Sequence, residues 1–417
     1  MRCGRRSAPR RRESIRVVFR LLRTARVLCL AGATGVLAIL VALGGPASPA
    51  PRPASSVKRV VMVAAYFSDD DTKAIEDAVG GLAEARTALR GRLDVSWTSL
   101  STSETALVAA QGSPASLRDA LERAARSADL VIAWGDPLAD AAVDAARRHP
   151  AVQFVLVSYM YLKALPPNLS EGSFADTVEA FIAGAAAAVQ TRTGLIGFIE
   201  PVDRGPQQLA YRAGAYYTRP RVRVVADFVG VSGALDPLIK GLPPSWTAAR
   251  YAGTAEPAAH DPSKAEEVAL AQYDLGADII YADAGPANAG IYRAAMRRGR
   301  WLIARSPLRT GERPKKQPWS DQVLTSVIER PDLAALHLVG QLLSGTALPH
   351  HFLWGLTYPR PQPSVPLIGF LHGHADDSRA RDADAILTHL IENIQAERVV
   401  VPYSTNQLTN FLRDYPP

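Results

Sequence analysis

SFADTVEAFIAGAAAAVQTRTGLIGFIE, residues 173–200, joins a helix of very small residues to a short apolar strand through a tight polar turn. Phe174, Val178, Phe181, Ile182, Ala185 and Val189 recur at helical spacing, and Gly184 with Ala185–Ala188 leaves almost no side chain to hold a neighbour away. Such a helix can lie very close to a sheet. Ser173 is positioned as its N-cap, Asp176 falls in the first turn where a carboxylate suits the helix dipole, and Gly194 sits where a left-handed residue is wanted. Leu195–Ile199 then reads as a strand buried on both faces.

The same unit recurs on both sides. Upstream, strands are expected at Arg59–Phe67, Leu93–Trp97, Leu130–Trp134 and Val152–Val157, with helices over Asp71–Leu89, Ser116–Arg126 and Pro137–Arg148. Downstream come helix Gln207–Tyr217, strand Val222–Phe228, helix Ser263–Leu275, strand Asp278–Ala282, helix Ala287–Arg298 and strand Trp301–Ala304. The tail adds Val323–Val327, Leu333–Leu343, a Pro-rich stretch Leu356–Pro366, Ala385–Ile394 and Val399–Val401. Alternating strands and helices of this kind predict an α/β protein of two doubly wound, Rossmann-like lobes. Lobe 1 is expected from 58–170 with 306–355, and lobe 2 from 171–305 with 356–417. A ligand would sit at the carboxyl ends of the strands, in the cleft between them.

The formal charge of +7 resides in the amino terminus. Residues 1–26 hold ten arginines and one acid, a local +9, which leaves −2 for residues 27–417. A basic groove for nucleic acid is therefore not expected. Val27–Leu43 is an apolar run of seventeen residues, at the lower limit for spanning a bilayer and above the usual signal-peptide core. Either role takes the chain out of the cytoplasm, with the arginine-rich end inside and a Pro/Ala/Ser linker, residues 44–57, leading outward. Both cysteines, Cys3 and Cys29, lie in this leader, so no disulfide, thiol nucleophile or cysteine metal site is expected beyond it.

No phosphate loop, dinucleotide fingerprint, nucleophile elbow or H-E-x-x-H motif occurs. No enzymatic activity, cofactor or metal is expected. His372–Asp377 reads as a polar loop rather than a metal site, and Asp69-Asp70-Asp71 as the acidic first turn of a helix. The candidate ligand-binding residues are those placed just after strands: Tyr66, Phe67, Asp71, Trp134, Asp136, Ser158, Tyr159, Glu200, Asp283, Gly285, Asn288 and Arg305. Aromatic rings there can stack on a flat ligand, and carboxylates or amides can fix its orientation.

Asp129–Ser158, Asn168–Glu200, Ala265–Ala295, Val323–Gly345 and Ala385–Pro402 resemble, in order, the basic membrane protein family of ABC-transporter substrate-binding proteins of the purine nucleoside receptor type. The resemblance implies a type I periplasmic-binding fold, two lobes joined by a hinge, a small-molecule ligand enclosed between them, and an ABC permease as partner. A membrane-anchored sensory or regulatory module on the same fold is the alternative.

The resemblance is weakest at the ligand-facing positions. Where the family begins its first helix with Asp-Lys-Ser-Phe-Asn, this chain has Asp71-Thr72-Lys73-Ala74-Ile75, and only Asp71 is kept. The family's glycine pair after the Gly-Phe-Ile strand begins here with Glu200, while Ala284-Gly285 and Gly290 are retained. The family aspartate that serves the ribose hydroxyls aligns with Arg305, and the family lysine after Leu-Thr-Ser aligns with Glu329. That reciprocal exchange predicts an ion pair between Arg305 and Glu329 of reversed direction, facing across the hinge region, and weak or no binding of purine nucleosides.

Overall fold

The computed structural model describes residues 57–66, 69–101, 113–157, 162, 164–201, 206–230, 261–305, 320–356, 368–372, 378–401 and 404–414. The leader and anchor segments and residues 44–56 of the linker fall outside them. No helix among the described residues is long and apolar enough to cross a membrane.

The chain first builds β1 (Lys58–Tyr66), α1 (Asp69–Ala88), β2 (Leu93–Ser101), α2 (Ala115–Ala125), β3 (Leu130–Trp134), α3 (Ala139–Arg148), β4 (Gln153–Val157) and β5 (Leu169–Phe174). It then builds α4 (Asp176–Gln190), β6 (Leu195–Glu200), α5 (Pro206–Thr218), β7 (Arg223–Phe228), α6 (Pro262–Asp274), β8 (Ile279–Ala282), α7 (Asn288–Arg298), β9 (Trp301–Arg305) and β10 (Val323–Glu329). The remainder is α8 (Pro331–Ser344), β11 (His351–Trp354), β12 (Ile368–His372), α9 (Ser378–Gln395) and α10 (Thr405–Asp414).

These strands form two six-stranded sheets, ordered β11-β5-β4-β3-β1-β2 and β12-β10-β9-β8-β6-β7. Pairing is parallel throughout, except that β12 runs antiparallel to β10. The two doubly wound lobes are thus as expected, and apolar strands such as Leu130–Trp134 and Leu195–Glu200 are buried at every position. Helices cover both faces of each sheet, the condition under which a parallel strand loses its polar alternation.

The crossings between lobes differ from the expected boundaries. β5 belongs to the first sheet and β10 to the second, so the chain crosses at residue 175, again at 330, and a third time between 354 and 368. Ser173 and Phe174 therefore end a strand instead of opening the helix. The N-cap of α4 is Ala175, at φ −86° and ψ 69°, and no side chain caps it. Val399–Val401 is not a strand, while β5, β11, β12 and α10 are elements the sequence reading does not anticipate.

The small residues of α4 do what their size allows. A Cβ on Gly184 would meet the carbonyl oxygen of Tyr211 at 1.9 Å, and one on Gly214 would meet that of Phe181 at 1.8 Å. The two helices α4 and α5 thus cross backbone to backbone, each through the other's glycine. Beneath them Tyr211 stacks on Phe198 at 5.3 Å between ring centroids and on Tyr281 at 5.9 Å. This fixes α4 on the second sheet and holds its amino-terminal turn over the strand ends.

Candidate functional site

In parallel sheets all strand ends of one kind lie along one edge, so each lobe presents a row of carboxyl-terminal residues. Across the first sheet that row reads Trp354, Phe174, Trp134, Tyr66 on β11, β5, β3 and β1, with Val157 of β4 between Phe174 and Trp134. Phe174 lies 5.4 Å from Trp354 and 6.5 Å from Trp134, centroid to centroid. Trp354 is wholly buried, Phe174 and Trp134 are nearly so, and Tyr66 is half-buried. Across the second sheet the row is charged: Glu329, Arg305, Asp283 and Glu200 end or follow β10, β9, β8 and β6, four adjacent strands. The two rows adjoin at the first crossing, where only Ala175 separates Phe174 from Asp176. The 3-10 turn Gly285–Ala287 of the second lobe also lies close to α1 of the first.

Arg305 stands at the centre of the charged row. Its Nη1 donates to Asp283 Oδ1 at 2.9 Å, one Nη2 proton goes to Asp176 Oδ1 at 2.8 Å, and Nε lies 3.1 Å from Glu179 Oε2. Nη2 also pairs with Glu329 Oε1, the partner expected from the reciprocal charge exchange. The two sit on neighbouring strands of one sheet, where Arg305 is in register with Val327, and so within one lobe instead of across the hinge. Asp176 and Glu179, three residues apart, share one face of the first turn of α4. With only 16% of its side chain exposed, Arg305 is held by charge-assisted hydrogen bonds to Asp176, Asp283 and Glu329 and by its ion pair with Glu179.

The electrostatics are uneven. Four carboxylates meet one guanidinium, and they outweigh the burial that would otherwise favour a neutral Arg305, holding it firmly charged. Glu179 is different: burial raises its pKa well above the usual carboxylate range against the pull of Arg305, and Glu329, Asp176 and Asp283 add to the rise. Atoms of Asp176, Glu179 and Glu329 come within 4.8 Å of one another, a geometry suited to a cation, and the guanidinium of Arg305 is the cation placed there.

The other expected residues divide. Asn288 is 7% exposed and its Oδ1 accepts from the Ala284 backbone N–H at 2.8 Å, so its side chain shapes the turn after β8. Gly285 occupies that turn at φ 52°, in the left-handed region that favours glycine. Asp136 opens the short 3-10 turn after β3, behind Gly135 at φ 115°, where a Cβ would meet the Ala65 carbonyl at 2.1 Å. Asp69-Asp70-Asp71 forms the first turn of α1, but the side chains of those residues, like Phe67, Ser158, Tyr159 and residues 373–377, lie outside the described residues. Sequence reasoning missed Asp176 and Glu179 as part of the charged set; their spacing of three at a helix start was the available signal.

Comparison with known proteins agrees with this architecture. Residues 95–232 match the family profile described as ABC transporter substrate-binding protein, PnrA-like. The chain is 28% identical over 169 residues to the ABC transporter nucleoside-binding protein BmpA of Lactococcus lactis, a match spanning 40% of each chain. Among solved structures, a solute-binding protein of an ABC transporter system from Conexibacter woesei superposes with a TM-score of 0.57 at 17% identity, over 83% of this chain and 99% of that one. A transcriptional activator of the comK gene from Bacillus halodurans superposes equally well, with a TM-score of 0.57 at 15% identity, over 82% and 99%. Residues 95–232 are thus similar to the Bmp, PnrA-like family of ABC transporter substrate-binding proteins, and the chain shares its two-lobed fold with solved proteins that include an ABC solute-binding protein and a transcriptional activator.

Proposed function

We propose that this protein is the extracytoplasmic solute-binding component of a BMP-type ABC transporter, capturing a small polar ligand between its lobes without chemistry and presenting it to a membrane permease. The observation that carries the reading is the meeting of two carboxyl-terminal strand edges, one aromatic and one charged, at the crossings between two doubly wound lobes. Such an edge is where doubly wound folds hold small molecules, and closure of the lobes is driven by tighter binding to the closed form. Tyr66, Trp134, Asp136, Glu200, Asp283, Gly285, Asn288 and Arg305, with Phe67, Asp71, Ser158 and Tyr159, are the proposed contacts or supports. The amino-terminal segment of ten arginines followed by Val27–Leu43 would deliver or anchor the protein at the outer side of the membrane.

The ligand differs from a purine nucleoside in this reading. Asp283 and Glu329, acceptors at the strand ends, are engaged by Arg305, and a ribose diol would have to compete with a guanidinium for them. A buried hydroxyl left without its acceptor costs about 1–3 kcal/mol. A thermal-shift screen of the purified chain with nucleosides, free bases, sugars and amino acids tests the reading, because a specific ligand raises the melting temperature by mass action. A reproducible, saturable shift with one class supports it; none across the panel counts against it.

A second reading is a membrane-anchored sensory or regulatory module. The same fold serves in the Bacillus halodurans transcriptional activator, so architecture alone does not separate the two. Ligand-dependent stimulation of a reconstituted permease favours transport, whereas ligand binding with no permease response favours sensing.

A further inference from the structure

The Arg305 cluster lies at the hinge as well as at the cleft. Asp176 is the first helical residue after the crossing at 175, and Glu329 is the last strand residue before the crossing at 330. Arg305 touches both, so one side chain joins the two crossing segments where they enter and leave the second lobe. On the far side of the second crossing, Arg330 pairs with Asp332 through Nη2 to Oδ2 at 2.8 Å and Nε to Oδ1 at 2.9 Å, and this fixes the start of α8. The third crossing is tied in as well, since the Ala175 N–H donates to the Trp354 carbonyl at 2.8 Å. All three connections therefore converge within a few residues of one guanidinium.

We propose that Arg305 is a hinge clamp, a positioning residue that sets the angle between the lobes by holding Asp176 and Glu329 together, and that the proton on Glu179 regulates its grip. This goes beyond the solute-binding reading and does not depend on which ligand is bound. The groups facing Glu179 among the described residues are Arg305 from β9, Glu329 from β10, Asp283 and Tyr281 from the end of β8, and Asp176 from its own helix. With Glu179 neutral, three carboxylates oppose one guanidinium; ionisation adds a fourth negative charge at 1% exposure, beside Asp176 and Glu329, the two residues the clamp must hold. Like charges this close and this dry repel strongly. Because burial raises the pKa of Glu179, its neutral form persists above the ordinary carboxylate range. Its stabilising contribution is complete below the unfolded value and fades as pH rises through the folded one. The hinge is thus held while Glu179 keeps its proton and loosens once it ionises, above the ordinary carboxylate range.

The test measures the angle between lobes instead of stability. In the full chain, with Cys3→Ser and Cys29→Ser, spin labels at Ser127→Cys in the first lobe and Arg221→Cys in the second report the interlobe distance by electron–electron resonance. Both labelling positions are exposed. From about pH 5 to about pH 10, the distance distribution of this background is expected to broaden at least twofold. Glu179→Gln, which mimics the neutral acid, is expected to stay narrow throughout, and Arg305→Met to be broad throughout. Should Arg305→Met fail to fold, Glu179→Gln alone decides. A distribution that ignores pH in the background, or one that broadens with pH just as much in Glu179→Gln, overturns the proposal.

Discussion

Replacing Arg305 by Met removes the one cation from a site of four carboxylates and leaves a side chain of similar length. The magnitude follows from burial. Arg305 is 16% exposed, and its partners Asp176, Glu179, Asp283 and Glu329 are 12%, 1%, 8% and 8% exposed. Removing one partner from a buried ion pair typically costs about 3–5 kcal/mol, because the other charge stays behind without compensation. For a lobe of a few hundred residues, each kcal/mol lowers the melting temperature by about 2–4 °C, so Arg305→Met should lower the melting temperature by about 6–20 °C. Arg305→Lys separates charge from geometry: a point charge cannot reach four carboxylates as a planar fork does, and it should recover only part of the loss. Adding Glu329→Gln to Arg305→Met should restore part of the stability, since Asp176 and Asp283 still lack their cation, and the double-mutant cycle then reports the coupling between the pair. Differential scanning calorimetry of the five proteins, the Glu329→Gln single variant included, at neutral pH is the assay. A loss below about 1 kcal/mol for Arg305→Met, the size of an exposed surface pair, would refute the argument that this cluster is buried and mutually dependent.

Three further outcomes follow from the same structure. Ala at Gly184 or Gly214 places a Cβ 1.9 Å or 1.8 Å from the facing helix backbone, so α4 and α5 must separate by about 1 Å or more; overpacking costs about 1–3 kcal/mol, and a lowered urea midpoint should show it for each, whereas an unchanged midpoint would mean the crossing is not tight. His337, on the buried face of α8, has its pKa lowered by burial to about 4, while Trp354 Nε1–H donates to its Nδ1 at 3.2 Å. The stability this gives is present above the unfolded value and fades as pH falls toward about 4, a loss of about 3 kcal/mol in all; His337→Gln should flatten that acid slope in pH-dependent urea unfolding. Isothermal titration with guanosine or adenosine should show no binding at micromolar concentration, and a micromolar dissociation constant would overturn the view that Arg305 has taken the acceptors of the ribose.

Most of the scaffold was legible because its signals are local. Val131, Ile132 and Ala133, or Phe198 and Ile199, are apolar on both faces, and a run of such residues between turn formers has few other structures open to it. β5 escaped because its sequence LSEGSF is polar, yet Ser170, Glu171 and Gly172 are buried. Glu171 is 4% exposed and is satisfied by contacts that no period encodes: its Oε2 accepts from the Leu162 backbone N–H at 3.0 Å and lies 3.1 Å from His351 Nδ1 on β11. A strand stabilised by a partner that arrives 180 residues later cannot be read from its own composition. The same reason moved the first crossing, since Ser173 has the chemistry of a cap and lost that role to a tertiary strand pairing with Leu353.

The charged row shows the converse, a long-range contact that could be inferred because two positions carry complementary oddities. An arginine at the end of β9 and a glutamate at the end of β10 are each unremarkable alone, and solvation explains either one. Read with the resemblance, which implies an acid where Arg305 stands and a base where Glu329 stands, they imply a contact, because each buried charge needs the other. The structure adds what a pairwise inference lacks. Asp176 and Glu179 join the pair from a helix turn, so the exchange is embedded in a five-member network rather than being a simple swap. A network of that size constrains substitution more than a pair does: an acid in place of Arg305 would put five carboxyl groups together, and a lysine in place of Glu329 would leave fewer acids to share between two cations. Neither single substitution is favourable, so the charged strand ends form a self-consistent arrangement, and it directs the search for a ligand away from the ribose diol.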